Sequence, residues 1–522
     1  MSEILLIYPK LGSQDSMIMD PPLSLVYTAA ECIKNKVDVS VIDLRAERDH
    51  FKVVEEAITS NTALVGISVM TGNPLKCARE VSRYIKKNHP HIEIVFGGPH
   101  PTVCPETIEE NYVDYLVRGY GSLALYQLFR NLGTKNFNNI KGLSYKVKGK
   151  FVHNTRSDSH EIIPYQDLPY NLLDMHSPKY VRNFNKKRIF AMFSSIGCPY
   201  RCSFCVSPAT FNEINGAKWI AYDAEAVVDH IKYAVETFDA KHIVFIDDTS
   251  FRHLKHMEKV FNLLVEADLG VTLEFRGCRV NEIKLMNHAF LDLMERAGGR
   301  VIMVGVESGS DRALKKMQKG ISFDLVVEQN KKLAQHPKIK CHFNFIYGMP
   351  EETYEDLLES KRLAVTLIKD NPNAYFGFGG DWKPIPGTKA LDRAMEYPDF
   401  VVPRTVDDWI AMDSSDANKK IVHPWYTKKH NNLIKVMQVT SFVLDKKIIK
   451  ETKNNKLPFF RVIRFLARVY RPLALFRIKF NFNSFLFDYE LFALSLRLIG
   501  KYGDKKRELF NDGKDNDVEK CA

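Results

Sequence analysis

The chain lacks the features of a membrane-spanning or exported protein. Its 522 residues contain no uninterrupted apolar run of about 18 residues, the length that a membrane-spanning helix requires. The first ten residues, MSEILLIYPK, contain no basic segment followed by an apolar stretch and a small-residue cleavage site. We therefore predict a cytoplasmic protein, and the length predicts two or three domains.

Cysteine is sparse and unevenly placed, with nine residues in the chain. Three of them, Cys198, Cys202 and Cys205, lie within eight residues of one another. A disulfide framework does not have this distribution, whereas thiols clustered in a reducing compartment indicate a metal or cluster site. The other six are scattered singly, at Cys32, Cys77, Cys104, Cys278, Cys341 and Cys521.

Excess positive charge is nearly absent outside one segment. The net charge is +11, and Lys446–Lys479 alone contains eleven Lys or Arg residues and one acid, Glu451. A protein that coats nucleic acid spreads its charge more widely, so we expect no nucleic-acid partner. Within this segment Arg461, Arg464 and Arg468 share one helical face among apolar residues. That composition is typical of a helix at an anionic membrane surface, although a helix packed on the protein with solvated arginines remains an alternative.

Residues 1–132 alternate short apolar strands with segments of helical periodicity. Five such units predict a doubly wound, Rossmann-like parallel sheet, whose ligand site lies at the carboxyl ends of the strands. The third and fourth strands end in Ser68–Thr71 and Gly97–His100. Glycine there lets a large ligand approach the backbone, or only shapes a turn. The predicted strands are Ile4–Tyr8, Val39–Asp43, Leu64–Ser68, Ile92–Phe96 and Tyr115–Val117.

A second alternation of strands and helices extends from about Arg188 to Ala390. Its six βα units predict either another open sheet or a partial barrel. Before it, KVKGKFV (146–152) predicts a hairpin inside a connecting segment. After it, 391–522 is helical, aromatic and basic. The predicted divisions are 1–135, a connector at 136–187, a core at 188–390 and a helical C-terminal region at 391–522.

The chemistry-bearing motif is Gly197-Cys-Pro-Tyr-Arg-Cys-Ser-Phe-Cys205, which directly follows the first strand of the second set. Three thiolates on one tight loop can bind three irons of a [4Fe–4S] cube and leave the fourth iron open. A zinc site usually has a fourth Cys or His nearby, and none follows here. The spacing therefore favours a cluster with an open iron.

C-x3-C-x-F-C after a strand is the signature of the radical S-adenosylmethionine (SAM) superfamily, and Phe204 occupies its aromatic position. The chain resembles this family. The resemblance implies a partial (β/α)6 barrel in which SAM chelates the open iron. It also implies reductive cleavage of SAM to a 5′-deoxyadenosyl radical, with an electron donor such as flavodoxin or ferredoxin.

Three later stretches follow the family's order of strand-end motifs, and PIPGT (384–388) also resembles it. The resemblance implies that Asp247 and Asp248 meet the amino group of SAM. It also implies that Glu307 and Ser308 face the ribose. Acids at strand ends are also ordinary helix N-caps, so a purely structural role for Asp248 or Glu307 remains an alternative. Tyr347 and Gly348 would flank the adenine.

The N-terminal stretches PPLSLVYTAA, GISVMT, GGPHPT and VDYLVRGYG resemble the cobalamin-binding domain of the class B radical SAM methylases. The loop Pro9–Pro21 contains no histidine, which implies base-off cobalamin without histidine on the cobalt. One departure is Arg118-Gly-Tyr-Gly-Ser122, which lacks both acids of the usual R-G-E-G-E. The implied cobalamin-binding residues are Ser68, Met70, Thr71, Gly97, Gly98, His100, Arg118, Gly119 and Gly121.

The resemblance favours radical C-methylation of an unactivated carbon, with methylcobalamin as methyl donor and a second SAM to regenerate it. The alternative is a cobalamin-dependent oxidative cyclase, ring-rearranging or coupling enzyme, and a third possibility is a cobalamin and Fe–S sensor. We expect a small hydrophobic or natural-product-like substrate. The basic C-terminal segment favours peripheral association with the inner face of the membrane. No acid or base catalyst is assigned.

Overall fold

The computed structural model describes residues 3–12, 15, 20–177, 180, 188–412, 423–444, 458–491 and 494. By its internal contacts the chain forms two units, and neither is one continuous stretch. The first comprises Met1–Val181, Ser195–Tyr222 and Lys383–Ile421, and the second comprises Arg182–Ser194, Asp223–Trp382 and Val422–Ala522. This grouping differs from the division predicted at 135, 187 and 390, which stays a prediction.

The first unit is built on a seven-stranded sheet of order β2-β1-β3-β4-β5-β6-β7. Its first five strands pair in parallel, and the β6–β7 hairpin joins β5 in antiparallel register. The chain thus reverses its winding direction between β1 and β3, as a doubly wound sheet does. The strands are β1 (Ile4–Tyr8), β2 (Val39–Asp43), β3 (Leu64–Ser68), β4 (Glu93–Gly97), β5 (Tyr115–Val117), β6 (Leu143–Val147) and β7 (Lys150–His153).

Helices cover this sheet. Its parallel strands other than the edge strand β2 are buried almost throughout, because both faces are packed. Ile4 and Leu6 of β1 pack with Leu25 and Ala29 and with Leu128 in one apolar cluster. The predicted doubly wound sheet is therefore confirmed. The helices of the first unit are α1 (Leu23–Lys34), α2 (His50–Ala57), α3 (Asn73–Asn88), α4 (Pro99–Val103), α5 (Ser122–Arg130), α6 (Ser207–Thr210), α14 (Lys389–Ala394) and α15 (Val406–Ala411).

The second unit contains a six-stranded sheet in the sequential order β8-β11-β12-β13-β14-β15, with every pair parallel. Among the described strands, none pairs β8 with β15, so the sheet is a half-barrel. Of the two predicted alternatives, the partial barrel is correct. The strands are β8 (Ile189–Met192), β11 (His242–Phe245), β12 (Thr272–Arg279), β13 (Gly299–Glu307), β14 (Lys340–Tyr347) and β15 (Ala374–Asp381).

Amphipathic helices between these strands cover the half-barrel, and two further helices follow it. No helix in the described ranges is long and apolar enough to cross a membrane. Of the predicted basic segment Lys446–Lys479, residues 446–457 lie outside the described residues. The helices are α7 (Ala224–Phe238), α8 (Leu254–Ala267), α9 (Val280–Leu285), α10 (His288–Arg296), α11 (Asp311–Lys316), α12 (Phe323–Leu333), α13 (Tyr354–Asp370), α16 (Lys428–Leu444) and α17 (Pro458–Lys479).

Candidate functional site

The cysteine loop belongs to the first unit, where a two-stranded ribbon holds both of its ends. Strands β9 (Ser195–Gly197) and β10 (Trp219–Ala221) pair in antiparallel register. Gly197, just before the first cysteine, has φ +87°, and a Cβ there would lie 2.2 Å from the Lys218 carbonyl oxygen. Only glycine fits this position without strain. The ribbon therefore fixes the position at which the cysteine loop begins.

Two of the three cysteines of the loop are more exposed than the other described cysteines. Cys198 and Cys205 are half-buried and Cys202 is buried, whereas the remaining five are all buried. Burial raises the pKa of the Cys32 thiol to about 12, which keeps it protonated and a poor ligand. The Ser207 backbone N–H donates to Cys205 Sγ at 3.4 Å, a contact that stabilises thiolate in iron–sulfur sites. The donor set thus fits a cluster.

Two side chains from distant segments of the same unit hold the loop in place. The Arg393 guanidinium donates to Ser203 Oγ at 3.1 Å, and the Ala390 N–H donates to the Ser203 carbonyl at 2.8 Å. Arg156 is nearly buried, bonds to Glu213 and donates to the last carbonyls of α6. In the described part of the chain, no group of three or more His, Cys, Asp or Glu side chains is arranged to hold a single metal ion.

The predicted cobalamin-binding residues lie at the carboxyl ends of β3, β4 and β5, of which β3 borders the switch point between β1 and β3. Ligands of doubly wound sheets bind in the crevice at this point. Met70 is exposed there, and Ser68 is half-buried and lies 3.2 Å from Ser24 Oγ. These two side chains are available to a large ligand. Residues 13, 14 and 16–19 of the loop Pro9–Pro21 lie outside the described residues.

Gly98, directly after β4, makes room for the neighbouring loop. Gly98 has φ +98°, and a Cβ there would lie 2.9 Å from the Val69 carbonyl oxygen. His100 is buried, and its Nδ1 lies 2.9 Å from Thr71 Oγ1. Burial lowers the pKa of His100 to about 4, so the imidazole is neutral. The pair Thr71–His100 therefore supports the loop from inside rather than presenting a ring to solvent.

The departure Arg118–Ser122 forms contacts within the first unit. The Tyr120 hydroxyl bonds His160, the histidine of the D-x-H sequence in the predicted connector, and His160 Nε2 lies 3.1 Å from the Ala217 carbonyl. Arg118 donates to the Asn154 carbonyl, and the Gly119 N–H donates to Thr102 Oγ1. A Cβ at Gly121 would meet Thr28 of α1 at 3.1 Å. This stretch thus connects β5 to the hairpin, the connector and α1.

At the end of β11 the two predicted SAM-binding acids have different environments. Asp247 is buried and accepts from the Ser194 N–H at 2.7 Å and the Ser194 hydroxyl at 2.6 Å, so it joins the ends of β8 and β11. Asp248 is exposed. Gly277 of β12 contacts this turn so closely that a Cβ would lie 2.3 Å from the Asp247 carbonyl oxygen. Of the two residues, Asp248 is the exposed one, whereas Asp247 is bonded inside the protein.

At the end of β13, Glu307 adopts a left-handed φ of +73° and pairs with the buried Lys319 at 2.7 Å. A non-glycine residue in that region is strained, and such strain concentrates at functional sites. Ser308 is fully buried and lies 3.1 Å from Ser360 Oγ of α13, which is an internal contact. The structure therefore places the Glu307–Lys319 pair at the strand end and turns Ser308 into the protein.

At the end of β14 the Gly348 N–H donates to Glu352 Oε2 at 2.8 Å and to the Tyr426 hydroxyl oxygen at 2.7 Å. Tyr347 packs with its hydroxyl bonded to Gln438. Burial raises the pKa of Glu352 to about 7, against the opposing hydrogen bonds from Tyr426 and Gly348. Glu352 Oε1 has no hydrogen-bond partner among the described residues.

The aromatic runs 375–382 and 423–426 meet at this same strand end. His423 Nε2 lies 2.7 Å from Asp381 Oδ1, and His423 is close to the rings of Trp382 and Trp425. Gly348 has φ +86°, and a Cβ there would lie 2.4 Å from His423 Nε2. Sequence reasoning missed the Asp381–His423 pair. No motif or spacing links two residues so far apart in the chain.

Family comparisons agree with both halves of this description. The model of the B12 binding domain matches residues 21–129, and the model of the radical SAM superfamily matches residues 192–364. The first match covers β3, β4 and β5, and the second covers the cysteine loop and the ends of β11, β13 and β14. The chain is a cobalamin-binding radical SAM protein. Its cofactors are accordingly a [4Fe–4S] cluster, SAM and cobalamin.

Similar proteins align with most of this radical SAM chain. The uncharacterized methyltransferase PH0819 of Pyrococcus horikoshii is 27% identical over 481 residues, 90% of this chain and 98% of the relative. The anaerobic magnesium-protoporphyrin IX monomethyl ester cyclase of Rubrivivax gelatinosus is 27% identical over 387 residues, 71% of this chain and 67% of the relative. The solved structure of OxsB, a cobalamin-dependent SAM radical enzyme with aqua-cobalamin bound, has 16% identity and a TM-score of 0.70, covering 99% of this chain and 81% of that chain. This last likeness establishes the fold.

Proposed function

We propose that this protein is a cobalamin-dependent radical SAM methyltransferase that methylates an unactivated carbon of a hydrophobic, natural-product-like small molecule. The observation that carries the proposal is the combination of cofactor domains in one chain, a B12-binding domain and a radical SAM domain. A relative that is named a methyltransferase and aligns over 98% of its length supports it.

In this proposal the bound cofactors supply a SAM-derived radical that abstracts hydrogen and a methyl group held as methylcobalamin. The protein binds and orients them. Cys198, Cys202 and Cys205 hold the cluster, and the Ser207 N–H stabilises the charge on Cys205 Sγ. Phe204, which is half-buried, lies beside the last cysteine within the loop.

SAM would be oriented by groups at the ends of the half-barrel strands. The exposed Asp248 carboxylate suits the amino group, and the Glu307 carboxylate, positioned by Lys319, suits a ribose hydroxyl. Tyr347 and Gly348 would flank the adenine, with the Gly348 backbone fixed by Glu352 and Tyr426. Asp247 and Ser308 act through packing, since both are buried in internal hydrogen bonds.

Cobalamin would lie at the switch point of the first sheet. We assign the direct contacts to Ser68, Met70 and the backbone of Gly97 and Gly98, all of which are exposed or half-buried. Thr71 and His100 support that loop from inside. The absence of histidine from the loop Pro9–Pro21 favours base-off cobalamin. The remaining assigned residues, Arg118, Gly119 and Gly121, position the loop after β5.

The second candidate is oxidative cyclisation without methyl transfer. The similarity to a magnesium-protoporphyrin IX monomethyl ester cyclase favours it, because that relative aligns over two thirds of its own length. Both candidates need a small-molecule substrate and an electron donor such as flavodoxin or ferredoxin. Both are also compatible with peripheral association at the inner membrane face, which the basic C-terminal helix favours.

The test is anaerobic incubation of the reconstituted protein with extract and SAM that carries a labelled methyl group. Methylation predicts label in a new hydrophobic product and S-adenosylhomocysteine whose amount depends on the extract. Cyclisation predicts 5′-deoxyadenosine alone with no label in product. SAM cleavage under reducing conditions in either case excludes a sensor that only reports redox state.

A further inference from the structure

Helix α17 presents several large apolar side chains to solvent. Six of them recur at helical spacing and share one stripe about 100° wide on a helix of 3.6 residues per turn. Their exposed fractions lie between 47% and 64%. The apolar stripe consists of Val462, Phe465, Leu466, Val469, Leu473 and Phe476.

The opposite side of α17 faces the protein through small residues. Ala467 and Ala474 are buried, and α17 packs against α16. A helix of a soluble protein normally buries its bulky apolar residues and exposes its polar ones. In α17 this arrangement is inverted, so the apolar stripe is not needed to hold the helix in place.

The helix is fixed firmly to the second unit at its C-terminal end. Lys361 of α13 donates to the Ile478 carbonyl and to Asn481, and Asn483 donates to the Tyr354 hydroxyl at 3.1 Å. The buried Arg477 pairs with Asp488 and folds the following segment back along the helix. These contacts attach the C-terminal end of α17 to α13, one of the helices that cover the half-barrel.

The folded-back segment adds further exposed rings. Phe485 and Phe487 are exposed by 83% and 74%, and Phe480 is also exposed. Exposed aromatic rings beside an apolar helix face are typical of elements that enter the boundary between lipid headgroups and acyl chains. Exposed apolar patches of this kind mark interaction sites.

The charge on α17 identifies the partner. Pro458–Lys479 contains six Arg or Lys residues and no Asp or Glu. Arg461, Arg468 and Lys479 are exposed and lie along one flank of the apolar stripe. An apolar stripe flanked by cations is complementary to a bilayer with anionic headgroups, where each basic residue adds attraction.

We propose that the apolar stripe of α17, with Phe480, Phe485 and Phe487, is a docking surface that inserts into an anionic lipid bilayer. It specifies the membrane association included in the proposed function and does not depend on which reaction the protein catalyses. A second copy of the chain is a poorer occupant, because an antiparallel two-fold contact through this stripe would bring the two cationic flanks together.

The experiment is sedimentation of the full chain with phosphatidylcholine vesicles that contain phosphatidylglycerol, beside vesicles of phosphatidylcholine alone. We expect binding to the anionic vesicles, weaker binding to the neutral ones, and release as salt screens the charges. The triple change Phe465→Ser, Leu466→Ser and Val469→Ser should weaken binding on the order of 100-fold. Because all three residues are exposed, the fold should be unaffected.

Two controls separate the stripe from general stickiness and net charge. Leu285→Ser removes an equally exposed apolar residue, 67% exposed on α9, and should leave binding unchanged. Arg461→Glu with Arg468→Glu should weaken binding roughly 30-fold or more. Lys255→Glu with Lys284→Glu changes the net charge equally at exposed positions and should have a much smaller effect.

Three results would overturn the proposal. The first is wild-type protein that ignores anionic vesicles, and the second is a triple variant that binds as well as wild type. The third is a wild-type dimer that the triple variant dissociates in the absence of lipid, which would assign the stripe to self-association. Cleavage of SAM in solution should be unchanged in the triple variant, so failure of this proposal is distinguishable from failure of the proposed reaction.

Discussion

The two parallel sheets of this protein differ in strand order, and the difference determines how each one presents a cofactor. The first sheet reverses its winding between β1 and β3, which creates one crevice at the carboxyl ends of the strands. The half-barrel never reverses, so the ends of its six strands form one continuous row. Both sets of motifs follow three strands. The cobalamin motifs follow the adjacent strands β3, β4 and β5 on one side of the switch point, whereas the SAM motifs follow β11, β13 and β14 of the continuous row.

Both sheets contain a motif in which neighbouring residues differ in exposure. In the motif after β3, Met70 is exposed and Thr71 is bonded to the buried His100. In the motif after β11, Asp248 is exposed and Asp247 is bonded to Ser194. We therefore expect only the exposed residues of such a motif to contact a cofactor, and the internally bonded residues to hold the loop in place. Variants that separate these roles sharpen the comparison of the two regions.

The largest expected effect is loss of the cluster alone. Replacing Cys198, Cys202 and Cys205 together by alanine should remove the roughly four irons per chain, because no thiolate remains to bind them. Bound cobalamin should be retained, since its residues lie on the first sheet. Iron and cobalamin contents are the measurements, and Cys32→Ala, a change at a buried thiol, is the control. Concurrent loss of cobalamin would contradict the prediction that the cluster and cobalamin bind independently of each other.

The next effect is a pH dependence of stability in the half-barrel. Burial raises the pKa of Glu352 to about 7, so the folded protein keeps a proton that the unfolded chain releases above its ordinary pKa of about 4.3. Between those two pKa values, stability should fall as the pH rises, by on the order of 3 kcal/mol in total. Glu352→Gln should remove this loss, and unfolding midpoints measured across the pH range would test it. Identical pH profiles for the variant and wild type would contradict the assignment.

Asp247 and Asp248 should separate stability from SAM binding. Asp247→Asn places an amide where the carboxylate accepts two hydrogen bonds from Ser194, so we expect a loss of roughly 2–3 kcal/mol of unfolding free energy. Asp248→Asn at an exposed position should change stability by less than about 0.5 kcal/mol. It should instead weaken SAM binding, measured by equilibrium dialysis. An Asp247→Asn variant as stable as wild type would contradict the stabilising role assigned to the Asp247 carboxylate.

The smallest effect concerns the glycine pair of the first sheet. Gly98→Ala should cost about 1–3 kcal/mol and weaken cobalamin binding, because φ is +98° and a Cβ would press on the Val69 carbonyl. Gly149→Ala in the β6–β7 turn is the matched control, since φ is +76° there but no atom lies within 4 Å of a Cβ. Cobalamin spectra and thermal midpoints distinguish the two. Equal losses of stability would mean that strain alone, not the close approach, requires Gly98.

Local elements of the fold were predictable because periodicity is a local property of the sequence. Strands β1, β2, β3 and β5 begin and end at the predicted residues, and β4 is shifted by one residue. The choice between an open sheet and a half-barrel was not predictable, since strand order depends on contacts between segments far apart in the chain. The β6–β7 hairpin was expected, but its addition to the first sheet was not.

The positions of the motif residues could be predicted from the sequence, but the contacts and burial of their side chains could not. The sequence placed Ser308 beside Glu307, yet only the packing of α13 turns Ser308 inward to Ser360. Lys319, twelve residues beyond Glu307, and Tyr426, far from Gly348, carry no spacing signal of their own. The assigned ligand residues therefore stay predictions until binding is measured residue by residue.

The most direct test of the account is a count of the two products of SAM in one anaerobic reaction with the methyl-accepting substrate. A methyltransferase that uses one SAM for the radical and another for the methyl group should form 5′-deoxyadenosine and S-adenosylhomocysteine in equal amounts, with the label in the product. Formation of 5′-deoxyadenosine and product without S-adenosylhomocysteine would contradict methyl transfer and favour the cyclase alternative.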